Sequence, residues 1–168
     1  RGDSQEEGRA SVRVGMGYDI HRLVPGRDLV LGGIKIPYHL GLHGHSDADV
    51  LVHAICDALL GAAGEGDIGR HFPPGDARYF NISSMELLKR VKEIISPSFS
   101  IINVDAVIIA EEPKLAPYIQ MMRESLKECL ALKSLRDISI KASTNEGVGE
   151  IGRGRAVAAF AVVCVEEK

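Results

Sequence analysis

Two hydrophobic periodicities share this chain, and the order in which they occur limits the fold more than any other feature. A period of two marks strands, whose successive side chains leave opposite faces, and a period near 3.6 marks helices. Residues 11–21 alternate, with Val12, Val14, Met16 and Tyr18 on one face and Arg13, Gly15, Gly17, Asp19 and His21 on the other. Residues 28–37 hold two short apolar runs around Gly32-Gly33, which predicts a hairpin or a bulged strand. A helix is expected after Ser46, which with Asp49 resembles a capping box, and it runs to about Ala62 before Gly64. Ser83 and Glu86 form a second box and open a helix to about Ser96. Residues 99–110 are a strand rich in Ile and Val. Pro113 suits the first turn of a third helix, to about Leu132. Residues 138–143 and 156–165 are the last strands. The order β, β, α, α, β, α, β, β departs from strict βα alternation. It predicts an α+β domain, a single sheet with helices packed on one face.

At 168 residues, 45% hydrophobic and 26% charged, the chain suffices for one globular domain that buries about 70% of its unfolded surface. Such a core needs neither disulfide nor structural metal, so a metal-ligand pattern points to chemistry rather than folding. The formal net charge is −3, and no basic block argues for a nucleic-acid partner. The longest apolar run, residues 156–165, is too short to span a bilayer as a helix. Cys56, Cys129 and Cys164 are odd in number, far apart and set among apolar residues, as buried thiols in a reducing compartment are. Residues 1–11 carry mixed charge and no apolar stretch. They are expected to be a disordered leader, which leaves 12–168 as a single catalytic domain.

Asp19 and His21 lie two apart on a strand and therefore leave the same face. His53 stands in a helix that is apolar nearly all round: Val50, Leu51, Val52, Ala54, Ile55, Ala58, Leu59 and Leu60. Its polar stripe is Asp49, His53 and Asp57, spaced four apart. An imidazole between carboxylates can be held in one tautomer, as a metal-binding histidine is. One carboxylate with two imidazoles matches a zinc site whose fourth position is open. The competing assignment is a buried, hydrogen-bonded His53. The helix N-terminus after His45-Ser46 offers N–H groups to a phosphate. In the Gly64-Glu65-Gly66-Asp67-Ile68-Gly69 loop, glycines let the backbone approach a ligand. Lys114 can supply a point charge, or simply be solvated. Residues 147–154 are glycine-rich but lack the lysine of a P-loop.

Gly17-Tyr18-Asp19-Ile20-His21, His45-Ser46-Asp47-Ala48-Asp49-Val50 with His53, and Gly66-Asp67-Ile68-Gly69 together resemble the 2-C-methyl-D-erythritol 2,4-cyclodiphosphate synthases. Residues 110–114, Ser143-Thr144-Asn145-Glu146 and Gly152-Arg153-Gly154 extend the resemblance over about residues 12–166. It implies cyclisation of 4-diphosphocytidyl-2-C-methyl-D-erythritol 2-phosphate with release of CMP, in the non-mevalonate isoprenoid pathway. It also implies a homotrimer, with the sheets around the three-fold axis and active sites between subunits. Asp19, His21 and His53 are the implied Zn²⁺ ligands, and Glu146 the implied ligand of Mg²⁺ or Mn²⁺ at the diphosphate. His45 and Thr144 are the implied catalytic residues. His45, Ser46, Asp67 and Gly69 would hold the erythritol, and residues 110–114 with Ser143 and Thr144 the cytidine. Ala110, Pro113 and Lys114 count among those substrate positions, as do Ile68, Phe72, Asp76, Leu115 and Arg153.

The chain departs from many relatives in having Pro74 where they have Asp, and Ser143 where the first Thr of a Thr-Thr pair is usual. Glu150 and Arg155 replace the Phe and Glu of some relatives, near a cavity that in the family lies on the trimer axis. A bacterial cytoplasm is the expected location, or a plastid-type organelle if a transit peptide has been removed. Two rival activities share these ligands: a zinc phosphodiesterase, and a non-catalytic trimeric binding module with structural zinc.

Overall fold

A computed structural model of the protein describes residues 11–168; the expected leader lies outside the described residues apart from Ser11. The chain begins with β1 (Val12–Val24), β2 (Leu29–Leu31), β3 (Ile34–Ile36) and β4 (Gly41–Leu42). Then come α1 (Val50–Ala63), the single-turn α2 (Ile68–His71), α3 (Ser84–Ile95) and β5 (Phe99–Ile109). It ends with α4 (Ile119–Leu130), β6 (Ile138–Ser143), the short α5 (Gly149–Gly152) and β7 (Ala156–Glu167). A mixed five-stranded sheet has the order β4-β1-β7-β5-β6. Its neighbours are antiparallel except for the parallel pair β5–β6. α1 lies on β1 and β7, α3 packs on α1, and α4 on β6, so the α+β expectation holds. Among the described residues, no helix is long and apolar enough to cross a membrane.

The single sheet does not hold: β2 and β3 form a separate two-stranded ribbon. Gly32 and Gly33 make its turn, both with positive φ (59° and 75°), as a two-residue hairpin loop needs. Their N–H groups donate to the Asp49 carboxylate at 3.0 and 2.8 Å, and that carboxylate also takes the N–H of Val52 at 3.1 Å. Asp49, rather than the expected Ser46, is thus the N-cap of α1. The ribbon supplies donors that only Asp49 reaches. Ser83 does cap α3, its hydroxyl accepting from the N–H of Glu86 at 3.2 Å. The third helix starts at Ile119 instead of Pro113. Pro113 stays in the turn leaving β5, and Pro117 is the proline of the opening 3-10 turn, Ala116–Tyr118, where its missing N–H costs nothing.

β1 alternates as expected, but its apolar face is the one left open: Val12, Val14, Met16 and Tyr18 are 56, 66, 71 and 47% exposed. The glycine face packs on α1. A Cβ at Gly15 would run into the carbonyl oxygen of Ala58 and into Ala62, and one at Gly17 into the backbone of Ala54 and Ala58. Glycines on the strand and alanines at four-residue spacing on the helix let the two backbones touch. This seam runs antiparallel, Gly15 near Ala58 and Ala62, Gly17 near Ala54 and Ala58. The next residues on that face, Asp19 and His21, therefore arrive beside the first turns of α1, where His53 stands. Leu51, Ile55, Leu59, Leu60, Leu88, Ile108 and Met122 fill the fully buried core between helices and sheet.

Candidate metal centre and flanking cavities

Asp19 Oδ2 lies 3.0 Å from His53 Nδ1 and 3.1 Å from His21 Nε2. One candidate ligand atom from each residue falls within 4.8 Å of the others, and all three residues are half-buried. Burial works to raise the Asp19 pKa, but hydrogen bonds from His21 and His53, and their charges, outweigh it and hold it at about 2. Burial works to lower that of His53, and the Asp19 hydrogen bond and charge reverse the sign, so the imidazole is raised above its ordinary value. The expected sandwich of His53 between Asp49 and Asp57 is not formed. Asp49 turns to the β2–β3 ribbon, and Asp57 accepts the N–H of Ile68 at 2.9 Å. Asp19 and Ser84 flank the imidazole instead, the Ser84 hydroxyl lying 2.9 Å from Nε2. Within α1, the N–H of Val52 is taken by Asp49 and that of His53 by the Asp49 carbonyl, so these are not free for the expected phosphate.

A cavity of about 320 Å³ opens beside the cluster, lined by Asp19, His21, His45, Ser46, His53, Ile68, Gly69 and Phe72, with Pro73, Pro74 and Tyr79 among its apolar walls. The Arg27 guanidinium donates to the carbonyls of Leu42 and Ser46 and so ties down the loop carrying His45. Asp57 anchors the start of α2, which presents Ile68 and Gly69. The loop expected at residues 64–69 thus ends in a helical turn, capped by Asp67 on the N–H of Arg70 at 2.9 Å.

A second cavity, about 380 Å³, is lined by Ala110, Pro113, Lys114, Leu115, Ser143, Thr144 and Glu146. The two cavities share no lining residue. Both lie toward the same end of the sheet, since His21 faces Val157 and Ile109 faces Ala158 at the start of β7. The expected site residues therefore fall into two groups within one chain. Asp67, Asp76 and Arg153 line neither cavity. Asp76 is held by Arg78, whose hydrogen bonds bring its pKa to about 2. Arg153 pairs with Glu150 at 3.0 Å, as Arg155 does at 3.4 Å.

The model of the YgbB family matches residues 12–166. The chain belongs to the YgbB family. A YgbB relative from Gloeobacter violaceus, named 2-C-methyl-D-erythritol 2,4-cyclodiphosphate synthase, is 57% identical over 161 residues, 95% of this chain and 98% of its own length. One of the same name from Desulfatibacillum aliphaticivorans is 54% identical over 156 residues, 92% of this chain and all of its own. Among solved structures, the bifunctional IspDF of Campylobacter jejuni superposes with a TM-score of 0.90 at 38% identity, over 95% of this chain and 43% of that one. The CDP complex of Plasmodium falciparum IspF superposes with a TM-score of 0.82 at 32% identity, over 96% and 99%.

Some residues that shape the site of this YgbB chain escaped the sequence reading. Glu111 accepts from the N–H groups of Asn145 and Gly147, at 2.8 and 3.3 Å, and pins the loop carrying Thr144 and Glu146 to the segment that follows β5. Ser84 and Asp47 stand behind His53. The only local signal at Ser84 was the Ser-Ser pair that opens α3, and the cap uses Ser83. All three cysteines are free, but only Cys56 is fully buried.

Proposed function

We propose that this chain cyclises 4-diphosphocytidyl-2-C-methyl-D-erythritol 2-phosphate to 2-C-methyl-D-erythritol 2,4-cyclodiphosphate and releases CMP, a phosphorus–oxygen lyase reaction. The observation that carries this is the convergence of Asp19, His21 and His53 at the mouth of a cavity. One carboxylate and two imidazoles suit a tetrahedral Zn²⁺ with a free position, and among the described residues no fourth such side chain joins the group. Bound there, Zn²⁺ would supply a Lewis acid and a template for a phosphate oxygen.

The attacking group is the substrate's own 2-phosphate, so no protein nucleophile is required. It displaces CMP from the β-phosphorus. The chain's task is to bring two anionic groups into line and offset their charge. His45 and Ser46 reach the first cavity from one side, while Ile68, Phe72 and the proline walls exclude water that would otherwise compete for the phosphorus. The turn after β5 holds the cytidine. Lys114 places an ammonium, and Thr144 a hydroxyl, beside the diphosphate. Glu146 would hold Mg²⁺ or Mn²⁺ there.

The two cavities are unshared within one chain, and the face of β1 and β7 bearing Met16, Val14, Phe160 and Val162 is apolar and exposed. Patches of this kind are docking surfaces. Both features support a homotrimer in which the sheets pack around the axis and each first cavity is completed by a neighbour's second. The printed names of the bacterial relatives, and the CDP complex of the Plasmodium protein, support the substrate class. A cytoplasmic location fits the bacterial sources of the two relatives.

Product analysis on the zinc-loaded chain tests the assignment. CMP together with a cyclic diphosphate supports it; an uncyclised erythritol product would point to a phosphodiesterase, and tight binding without turnover to a binding module.

A further inference from the structure

Ser84, the first residue of α3, is 1% exposed. Its hydroxyl contacts Asp47 Oδ1 and lies 2.9 Å from His53 Nε2, and its N–H donates to Asp47 Oδ2 at 3.1 Å. A hydroxyl has one proton to give, and a carboxylate can only accept. The Ser84 proton therefore goes to Asp47, and a lone pair of the same oxygen faces the imidazole. Nε2 must then be a donor. The neighbouring Ser83 already caps α3, so Ser84 is not held in place by that duty. Its burial excludes it as a nucleophile despite an Asp-Ser-His order that looks like one. The three residues come from three places in the fold, the loop before α1, α1 itself and α3, so packing of the helices brings them together.

We propose that Ser84, oriented by Asp47, is a positioning residue that keeps the His53 proton on Nε2 and so commits Nδ1, 3.0 Å from Asp19 Oδ2, to the metal. With the hydroxyl in place, rotation of the imidazole strands the Nε2 proton and tautomer exchange sets the Nε2 lone pair against that of the Ser84 oxygen, which is the cost that keeps it aligned. The proposal rests on the metal reading above. Partners of this kind are worth about 10- to 100-fold in metal affinity.

The test uses the full chain, with zinc as the probe in competition against a chromophoric chelator, and nitrogen-15 labelled histidine observed in the zinc- or cadmium-113-loaded protein. Wild-type chain should show metal coupled to Nδ1 of His53, and a protected proton on Nε2. Ser84→Ala should bind zinc about 10- to 100-fold more weakly and lose that protected proton to exchange with water. Ser84→Thr, which keeps the hydroxyl, should regain most of both. Equal affinity in wild type and Ser84→Ala, or metal coupled to Nε2 in wild type, overturns the proposal. The second observation needs no variant and stands even if Ser84→Ala does not fold. A wild-type chain that binds no zinc overturns the metal reading, and this proposal with it.

Discussion

Single residues in this molecule do more than one job when they are buried, and Asp49 is the clearest case. It caps α1 and clamps the β2–β3 turn through N–H groups from Val52, Gly32 and Gly33. Complete burial pushes its pKa from 3.8 up to about 6, against the pull of those donors. A folded-state value above the unfolded one means that the folded chain keeps a proton the unfolded chain has lost. The contribution is thus fully present below about pH 4, declines as pH rises through about 6, and is level above, with a slope of at most about 1.4 kcal/mol per pH unit. Asp19 acts elsewhere, since its lowered pKa gives stability lost only as pH falls toward about 2. The raised His53 loses its contribution as pH rises beyond 6.5. Asp57, raised by burial, acts in the same direction as Asp49. The informative quantity is therefore the difference between wild type and Asp49→Asn. Urea midpoints from about pH 4 to about pH 7 should show the variant losing less stability across that range than wild type. Identical pH profiles would contradict this account of Asp49.

At the level of elements, the seam between β1 and α1 decides whether Asp19 and His21 meet His53. Gly17→Ala puts a methyl group into the α1 backbone at Ala54. It should cost about 1–3 kcal/mol, the usual penalty for overpacking, and weaken zinc binding by moving His53 away from Asp19. Gly61→Ala is the control: its methyl meets nothing closer than the Met16 carbonyl at 4.0 Å, and the helix should gain about 0.5–1 kcal/mol. Thermal melting and zinc titration of the two variants measure both effects. All strands but the two-residue β4, and the cap of α3, were legible in the sequence because they rest on neighbours a few residues apart. The start of α1 was not, since the partners of Asp49 lie in a hairpin 16 and 17 residues earlier. The alternation in β1 announced two unlike faces without saying which one packs; glycines met by alanines settled that. Asp19 and His21 could be paired by their spacing, and His53 joined them as the second imidazole of an open zinc site, an assignment that the family resemblance reinforced over a merely buried His53. Ser84 could not, standing 31 residues beyond His53.

The whole molecule keeps an apolar sheet face in the open, with the Tyr18 and Phe160 rings 4.7 Å apart and Met16 71% exposed. A charge there should block assembly of the proposed trimer without touching Asp19, His21 or His53. Met16→Glu is expected to sediment as a monomer, to bind zinc as wild type does, and to release little CMP, because in the proposed trimer each active site draws on two copies. A monomeric variant with full turnover would show that a single chain suffices. The most direct measurement of the central claim pairs metal analysis with CMP release, on the same preparations of wild type and His53→Ala. The account predicts stoichiometric zinc and turnover in the first. In the second it predicts neither, with an unchanged sedimentation profile. Full activity in zinc-free His53→Ala would contradict it.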